Sequence, residues 1–437
     1  MRLCVFEDNT VTRLEPLALT RPAFNLRCGA LSLLERQVRY FSPGECGVWV
    51  REELRALCEH AHPGLTVNDP GFTMNAPVVL ANGRWLAPLF RPPASADVSA
   101  RHSRSGLIGM VGDEVAFVVL PHGAPVDWPL WLEKLLDEWL ETLPRCDVGG
   151  HLIHAPWELV EHNAEAIAAD LTHWHSSKAR AKTIDARIHG PRDKCVIASG
   201  ADVEPDVIID TRTGPVLIDF EAVVESFTRL QGPCYIGRGS HVLGGRIQGS
   251  SIGSNCRVAG EVQESILQGY ANKCHDGFLG HSYLGEWVNF GAGTQTSDLR
   301  NDYDEIKVRL DGEVVNTGCI KLGSFVGDYT RTGVGTLLNV GTIVGPFCEL
   351  LPSGTLLPRR IPAFMQYGHG QLKPRTDLRR IIASAETAMK RRGRAWTDAH
   401  GDMLYDLYKA TDHERRALIE EAEERQFHCA AVAQRTM

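Results

Sequence analysis

The stretch IDFEAVVESFTRLQGPCYIGRGSHV, residues 218–242, decides the fold of the larger part of this chain. An aliphatic residue returns at every sixth position in it: Ile218, Val224, Leu230, Ile236 and Val242. A step of six is neither the period of an α-helix nor the two-residue period of a plain strand. It is the period of a triangular coil, in which each short side supplies one inward apolar residue before the chain turns.

Two further series extend this rhythm on either side. Their members are Ile197, Val203 and Ile209, and then Ile320, Val326, Thr332, Leu338, Val344, Leu350 and Leu356. Glycine often follows the inward position, and glycine suits tight corners where φ is positive. The strands of an ordinary β-sandwich are separated by irregular intervals of about 8–12 residues. The sequence therefore predicts a left-handed parallel β-helix over residues 190–370.

Residues 1–165 show a different pattern, in which short apolar runs alternate with segments of helical spacing. The apolar runs are Leu3–Phe6, Gly47–Val50, Val78–Leu80 and Val115–Leu120, and the helical segments include Leu31–Val38 and Trp131–Leu143. Alternating strands and helices indicate an α/β domain. We expect a linker over 166–189 and a helical extension over 371–437, based on the charged helical patterns of Arg375–Arg394 and His413–Gln426. A helical cap over the open end of the coil is the expected role of this extension.

Composition narrows the class of protein. The 437 residues carry a net charge of −8, which argues against binding of nucleic acid or an anionic membrane over the whole surface. No apolar run reaches the roughly 18 residues of a membrane span, and the N-terminus lacks the apolar core of a signal peptide. The 12 cysteines are scattered without zinc spacing, which indicates reduced thiols, no metal site and a cytoplasmic protein.

Three motifs carry a resemblance to a known family. GFLGHSYLGEWVNFGAGT, residues 277–294, resembles the acetyltransferase signature of the bifunctional uridylyltransferase/acetyltransferases that make UDP-N-acetylglucosamine. DLRNDYDEIKV, residues 298–308, resembles the archaeal branch of the same sugar-phosphate enzymes. TRLEPLALTRP, residues 12–22, resembles the start of the sugar nucleotidyltransferases. The resemblance implies a Rossmann-like nucleotidyltransferase domain over 1–165, joined to an acyltransferase β-helix.

The resemblance also implies site residues in the coil. Acyl transfer from a thioester to an amine needs a base for the amine proton and donors for the tetrahedral oxyanion. His281 is the expected base, since imidazole titrates near neutral pH. Tyr283 would hold the sugar or orient His281, and Asn301 would donate to the oxyanion. Sugar phosphate would be bound by Asn289, Asp298 and Lys307, and the backbone of Ala292 and Gly293 would line the acetyl-CoA groove.

The hexapeptide rhythm breaks between Thr294 and Gly318, in a polar segment that directly follows the His281 motif. Insertions in a solenoid collect on one face and are often functional. We therefore expect this segment to close over the sugar phosphate. For each single polar residue in it, a solvated loop position is an equally good interpretation. Asp298 stands where the relatives have Asn, which leaves the source of the oxyanion donor open.

The N-terminal motif departs from the family's phosphate-binding pattern. Relatives have a glycine-rich loop before T-R-L, whereas Phe6–Val11 contains no glycine and includes Glu7 and Asp8. Asn82 stands where a metal-binding Asp is expected, and Mg²⁺ prefers carboxylate oxygens. A possible anion-binding set for a nucleoside triphosphate remains, namely Arg13, Arg21 and Arg27.

The expected function is acetyl transfer from acetyl-CoA to glucosamine 1-phosphate in the coil, with nucleotidyl transfer from UTP or dTTP in the N-terminal domain, assisted by Mg²⁺. Coils of this family usually trimerise, so a homotrimer is expected, without a nucleic-acid or membrane partner. Two alternatives stay open. One is a non-catalytic trimeric scaffold with a nucleotide-sugar-binding domain, and the other is a single-function nucleotidyltransferase.

Overall fold

The computed structural model of the protein describes residues 1–74, 76–89, 106–122, 132–177, 185–310 and 312–420. Its N-terminal part is built on a seven-stranded mixed sheet. In spatial order the strands are Arg145–Asp147, Leu107–Val111, Glu114–Leu120, Val78–Asn82, Arg2–Phe6, Glu45–Trp49 and Thr66–Val67. All four predicted apolar runs lie in this sheet. Arg2–Phe6 pairs in parallel with both of its neighbours, so the carboxyl ends of three strands meet at one edge.

Among the described residues, five helices accompany this sheet. They are α1 (Leu33–Phe41), α2 (Glu52–Ala61), α3 (Leu132–Thr142), α4 (Pro156–Glu161) and α5 (Asn163–Ser177), with 3₁₀ turns at Asn9–Leu14, Ala23–Asn25 and Pro70–Thr73. A further 3₁₀ turn, Arg192–Lys194, lies in the first turn of the coil. Two small antiparallel pairs complete this part, Arg27–Cys28 with Leu31–Ser32 and Trp85–Leu86 with His151–Leu152. Helix α1 begins at a capping box, because Ser32 and Glu35 each accept a hydrogen bond from the other's backbone N–H. Helix α5 occupies the first part of the expected linker, and residues 178–184 lie outside the described residues.

Residues 187–374 wind into three sheets that form the faces of a triangular coil. Face 1 contains Arg187–His189, Ile208–Asp210, Thr228–Gln231, Gly245–Gln248, Glu261–Gln263 and Phe278–Gly280, continued by Gln295–Thr296 and Leu337–Leu338. Face 2 contains Cys195–Ile197, Val216–Ile218, Cys234–Ile236, Ser251–Ser254, Ile266–Gly269, Tyr283–Leu284, Ser324–Val326, Thr342–Val344 and Arg360–Ile361. Face 3 contains Asp202–Val203, Val223–Val224, His241–Val242, Arg257–Val258 and Asn272–Lys273, then Arg331–Thr332, Glu349–Leu350, Met365–Gly368 and Gln371–Pro374. Successive strands of each face run parallel, except at the closing hairpin of face 3.

This arrangement confirms the predicted left-handed parallel β-helix. The series that starts at Ile218 points inward throughout, and all five of its members are fully buried. The prediction that every member of the third series points inward is wrong at its two ends, since the side chains of Ile320 and Leu356 are each 52% exposed. Ile320 belongs to an insertion, and Leu356 lies in the loop between Glu349–Leu350 of face 3 and Arg360–Ile361 of face 2, where the next residue, Leu357, is buried in its place.

One corner of the coil, between faces 2 and 3, carries five aromatic residues in successive turns. These residues adopt left-handed backbone angles, with φ between 52° and 61°. Their rings stack along the coil at centroid distances of 4.3 to 6.2 Å. Stacking and burial offset the cost of about 1–3 kcal/mol for each non-glycine residue in this region. We call the set the aromatic ladder: Tyr270, Trp287, Tyr329, Phe347 and Phe364.

The C-terminal extension packs along this ladder. It consists of α6 (Leu378–Lys390), α7 (Asp398–Ala410) and a further helical segment, 412–420. Trp396 meets the ring of Tyr329 edge-on at 5.8 Å, and Tyr408 meets Phe364 at 5.1 Å. Helices α6 and α7 therefore lie along a corner of the coil rather than across its open end, whereas Leu418 of the segment 412–420 packs against the core of the coil and Glu414 pairs with Arg360 of its last turn. No helix within the described ranges is long and apolar enough to cross a membrane.

The N-terminal part packs against the outer surface of face 2. Outward positions of a coil are usually polar, but here several are apolar and fully buried. They contact the segment 11–30 and helix α4 in one hydrophobic cluster. The outward apolar residues are Ile266, Tyr283, Phe325 and Ile343. Faces 1 and 3 are thus left for other contacts.

Candidate active site

A polar insertion interrupts the coil at the corner between faces 1 and 2. The chain leaves face 1 at Ser297 and enters face 2 again at Ser324. Between these points lies an antiparallel hairpin of Lys307–Leu310 and Glu313–Asn316. The predicted break in the rhythm is therefore a folded insertion that is anchored on the coil. Its anchoring side chains are buried, namely Ile306, Val308 and Leu310.

His281 occupies the same corner one turn earlier, and its imidazole contacts the start of the insertion. Nδ1 of His281 lies 2.7 Å from Oδ2 of Asp298. The side chains are 19% and 13% exposed, so both can be reached from solvent. When Nδ1 donates its hydrogen to the carboxylate, Nε2 of a neutral imidazole keeps its lone pair. The pair has the geometry of a general base held by an orienting carboxylate.

Asp298 has a partner that the sequence analysis did not find. The motif comparison assigned it to substrate binding, whereas its carboxylate contacts His281 directly. The sequence contains a signal for this contact. Asp298 stands where the relatives have Asn, and it lies seventeen positions after His281. One turn of this coil takes about that number of residues, as the pairing of Val262 with Leu279 shows.

Two further charged groups lie close to His281. Glu264 is the corner residue one turn before it, and both residues have a φ of 44°. Burial raises the pKa of the Glu264 carboxyl, and the nearby His281 and Lys321 act in the opposite direction. Lys321 is exposed near the end of the insertion. The corner therefore offers a base, an acid and an accessible cation within a small region.

A groove of about 320 Å³ begins at Asp298 and continues over face 1. Its walls are mostly apolar and include Phe278, Leu337 and the half-exposed Leu356. Such a lining suits the alkyl arm of an acyl carrier. Ala292 and Gly293 lie at the other edge of face 1, where the chain turns in from face 3. They stay a prediction for the donor groove.

Tyr283 is not available to a substrate. Its side chain is fully buried between face 2 and the N-terminal part. Its hydroxyl accepts a hydrogen bond from the backbone N–H of Arg27 at 2.9 Å and donates to Gln268 Oε1. Burial raises the pKa of Tyr283. The expected catalytic role of Tyr283 is therefore wrong, since the residue points outward from face 2 and away from the corner of His281.

The other predicted coil residues are placed apart from His281. Asn301 and Lys307 are exposed on the insertion, and within the described residues neither side chain bonds to His281 or Asp298. Asn289 lies on face 3, where its Oδ1 accepts from Asn272 Nδ2 at 2.8 Å. Face 3 is opposite the corner that holds His281. Within one chain, Asn289 and His281 thus belong to different surfaces.

In the N-terminal part, polar side chains at the carboxyl ends of the parallel strands bond to one another. Arg84 donates to both carboxylate oxygens of Asp8 at 2.7 to 3.2 Å, and Asn82 Nδ2 donates to Asp8 at 2.8 Å. Asn82 is 5% exposed, and its Oδ1 accepts from the Arg84 backbone. The expected substrate contact of Asn82 is therefore wrong. Because the oxygens of Asp8 are already engaged, the residues described here do not fit a Mg²⁺ site.

Two of the three predicted anion-binding arginines instead join the N-terminal part to the coil. Arg21 pairs with Asp328 and, at 3.2 Å, with Glu286. Burial alone would lower the pKa of Arg21, but these two acids outweigh it and the pKa is raised. The Arg27 guanidinium donates to Ala30 O at 2.5 Å and lies over the Tyr235 ring. Both arginines line a cleft of about 1100 Å³ at this junction, whereas Arg13 is exposed and stays a prediction.

One group of potential metal ligands is brought together that the sequence spacing did not indicate. Ligand atoms of His151, His162 and Glu165 all lie within 4.8 Å of one another. The two imidazole rings stack at 3.8 Å, and burial together with His151 lowers the pKa of His162. No metal site was expected from the sequence, because His151 lies eleven positions before His162 and local spacing does not indicate their contact. His151 reaches this group through the small strand pair beside the sheet.

Comparison with known proteins gives one family match, in the N-terminal part, and several similar proteins. Residues 3–178 match the sequence model of a family described as sugar nucleotidyl transferase. The N-terminal part is nucleotidyltransferase-like. This match includes the sheet, helices α1 to α5 and the segment that contacts face 2. The match thus extends through the whole of α5, and the first strand of the coil begins at Arg187.

Two of the similar curated proteins are named as bifunctional. A bifunctional sugar-1-phosphate nucleotidylyltransferase/acetyltransferase of Sulfurisphaera tokodaii is 35% identical over 96 residues, which is 22% of this chain and 24% of that protein. The bifunctional protein GlmU of Methanocaldococcus jannaschii is 35% identical over 20% of this chain and 21% of its own length. The chain therefore spans about a quarter or less of these bifunctional relatives.

Two more similarities involve acyltransferases. The putative uncharacterized acetyltransferase YaiX of Escherichia coli K12 is 28% identical over 37% of this chain and 71% of its own length. Among solved structures, the Arabidopsis UDP-N-acetylglucosamine acyltransferase matches 56% of this chain and 91% of its own, with 14% identity and a TM-score of 0.22. At that score, the description of the fold rests on the coil geometry itself.

Proposed function

We propose that the coil transfers an acetyl group from acetyl-CoA to the amine of an amino-sugar 1-phosphate, with glucosamine 1-phosphate as the leading substrate. The observation that carries this proposal is the hydrogen bond of 2.7 Å between His281 and Asp298 at a solvent-accessible corner. The acetyltransferase motif around His281 and the names of the bifunctional relatives support the same activity.

The chemistry uses the two nitrogens of His281 differently. The amine nitrogen of the sugar attacks the thioester carbonyl, and Nε2 of His281 takes the proton that the amine loses. Asp298 stabilises the imidazolium that forms, because it already accepts a hydrogen bond from Nδ1. Collapse of the tetrahedral intermediate breaks the C–S bond, and the proton passes from Nε2 to the departing sulfur. The products are the N-acetyl sugar phosphate and free CoA.

The surroundings of the corner suit the two substrates. Lys321, near the end of the insertion, is an exposed cation close to Glu264 at this corner, and charge-assisted contacts to phosphate are strong. The apolar groove over face 1 would take the pantetheine arm of acetyl-CoA. Several outward side chains of face 1 are exposed, including Arg246 and Gln295. We therefore propose that this face is completed by a second chain in a homotrimer.

Nucleotidyl transfer from UTP or dTTP is a second candidate function. The family match over residues 3–178 supports it. The contacts among Asp8, Asn82 and Arg84 weigh against it, because they occupy the edge where a triphosphate and its metal would be held. Binding of a nucleotide sugar without transfer is consistent with both observations.

The direct test follows release of CoA thiol from acetyl-CoA in the presence of glucosamine 1-phosphate and related amino-sugar phosphates. Wild-type protein should release thiol only with an amine acceptor, and His281→Ala should not. His275→Ala is the matched control, since this exposed histidine lies on the coil at a different corner. If wild-type protein released no thiol with any acceptor, the non-catalytic scaffold would be the better account. Pyrophosphate release from UTP or dTTP tests the second candidate in the same preparation.

A further inference from the structure

The three potential metal ligands of the N-terminal part lie where the small strand pair meets the turn between α4 and α5. His151 comes from the strand His151–Leu152, which pairs with Trp85–Leu86. His162 lies between the two helices, and Glu165 belongs to the first turn of α5. One donor atom of each side chain lies within 4.8 Å of the other two. We call this set the two-histidine group.

The donor atoms of the two-histidine group are not used for other contacts. Among the described residues, neither imidazole has a hydrogen bond, and the Glu165 carboxylate has neither a hydrogen bond nor an ion pair. The nearby His154 differs, because its Nε2 lies 2.7 Å from Oε2 of Glu114. The nitrogens of His151 and His162 are therefore available to a ligand that binds through their lone pairs.

The donor set suits zinc. Two imidazole nitrogens and one carboxylate oxygen form a known type of zinc site, in which water takes the fourth position. At metal–ligand distances of about 2.0–2.1 Å, tetrahedral geometry places the donor atoms about 3.3 Å apart. Binding therefore requires the donors to approach one another and the imidazoles to turn out of their stacked arrangement. Glu165 is exposed and His162 is only half-buried, so both side chains have room to rotate.

The protonation state of the histidines also favours a cation. A metal ion binds the lone pair of a neutral imidazole, so a protonated ligand must first lose its proton. Burial and then His151 lower the pKa of His162, although Glu161 and Glu165 act in the opposite direction. His162 is therefore neutral at pH 7, while the carboxylate of Glu165 supplies negative charge.

The backbone on both sides of the group is fixed by buried contacts. Asn163, directly after His162, is fully buried, and its Oδ1 accepts a hydrogen bond from Oγ of Ser251 on face 2 at 2.8 Å. Ile153, two positions after His151, is also fully buried. An ion bound by the group would thus join the small strand pair to the helical turn that contacts the coil.

We propose that the two-histidine group binds one zinc ion, which holds the small strand pair against the start of α5. Imidazole ligands favour zinc over Mg²⁺, which prefers oxygen ligands. The role of the ion is structural, because a ligand that binds only the folded state raises stability. The site does not depend on acetyl transfer at His281.

Zinc binding can be measured by calorimetry on the full chain after treatment with a chelator, with Mg²⁺ as the comparison ion. Wild-type protein should bind one zinc ion and no Mg²⁺. His151→Ala and His162→Ala should each weaken zinc binding at least about 100-fold, since even the loss of an outer partner of a metal ligand costs about 10–100-fold. Glu165→Gln should have a smaller effect, because both imidazoles remain. His154→Ala is the matched control and should leave the dissociation constant unchanged.

Melting temperatures test the structural role. Zinc should raise the melting temperature of the wild type and of His154→Ala, but not that of His151→Ala or His162→Ala. Without metal, all four proteins should melt at similar temperatures, which shows that a loss of affinity does not reflect unfolding. The proposal would be overturned if zinc bound no more tightly than Mg²⁺, or if His154→Ala lost as much affinity as the other variants. Zinc binding without a rise in melting temperature would contradict the structural role.

Discussion

The corner at His281 and the sheet edge at Asp8 are both polar clusters at the place where their fold usually carries chemistry, but they are built in opposite ways. At the corner, the carboxylate contacts Nδ1 of the imidazole, and Nε2 has no hydrogen bond to any residue in the described part of the chain. At the sheet edge, Asp8 is shared by Arg84 and Asn82, so its hydrogen-bonding capacity is used within the protein. A reactive site keeps a polar group free to contact a substrate, whereas a structural cluster uses its hydrogen-bonding groups within the protein.

Removal of the proposed base, His281, should have the largest effect of these changes. We expect His281→Ala to lower kcat for acetyl transfer by about 10²–10⁴, the usual contribution of general-base catalysis. His275→Ala should retain wild-type kcat. Any nucleotidyl transfer by the N-terminal part should be unaffected by either change, and a loss of both activities in His281→Ala would indicate a structural role. Steady-state thiol release and pyrophosphate release measure the two activities separately.

Asp298→Ala should have a smaller effect of the same kind. Without the carboxylate the imidazole is no longer oriented, and misplacement of a catalytic group by about 1 Å can cost about 10²-fold in rate. The loss should fall on kcat, with KM for the sugar phosphate little changed. Asp302→Ala is the matched control, because this acid lies in the same insertion but pairs with Arg300. If instead KM rose and kcat were retained, Asp298 would be a substrate contact, as the motif comparison assigned it.

Arg84→Ala tests the structural cluster. It leaves Asp8 without its main partner beside a buried edge, and removal of one member of a buried pair is strongly destabilising. Because the Asp8 side chain is 21% exposed, we expect a loss of about 2 kcal/mol in the free energy of unfolding. Arg55→Ala should change stability by less than about 1 kcal/mol, since its ion pairs are exposed. Chemical denaturation measures the free energy of unfolding of both variants. Equal values would contradict the structural role of the contacts between Arg84 and Asp8.

The smallest expected effect concerns pH and the C-terminal helices. Burial and then His60 lower the pKa of His400 to about 4, and its Nδ1 accepts from Thr397 at the start of α7. The unfolded state therefore binds more protons between about pH 6.5 and 4, so stability should fall as the pH is lowered through this window. His400→Gln should flatten this dependence of the melting temperature, while the exposed His413→Gln should not. An identical pH dependence of the melting temperature in the wild type, His400→Gln and His413→Gln would contradict the assignment of this dependence to His400.

The coil could be predicted well from the sequence because its determinant is local. An inward residue at every sixth position fixes each side of the triangle, as the buried run from Ile218 to Val242 shows. The base at His281 could be proposed because its motif is contiguous. Its partner was not recognised, since the contact with Asp298 depends on how far one turn of the coil advances the chain.

Contacts between the parts of the molecule could not be predicted in this way. Tyr283 and Arg21 lie in motifs that suggested chemistry, yet both are used where the N-terminal part meets face 2. The aromatic ladder is likewise formed from residues of several successive turns of the coil, and α6 packs against it. No local pattern contains the information that α6 packs along a corner rather than across the end.

A double-mutant cycle on His281 and Asp298 tests the central claim most directly. If the carboxylate acts only by holding the imidazole, then His281→Ala combined with Asp298→Ala should be no slower in kcat/KM than His281→Ala alone, within about twofold, because residues that act as a unit are non-additive. Losses that multiply, with the double variant slower by the full factor of Asp298→Ala, would show that Asp298 acts on the substrate independently and would contradict the account.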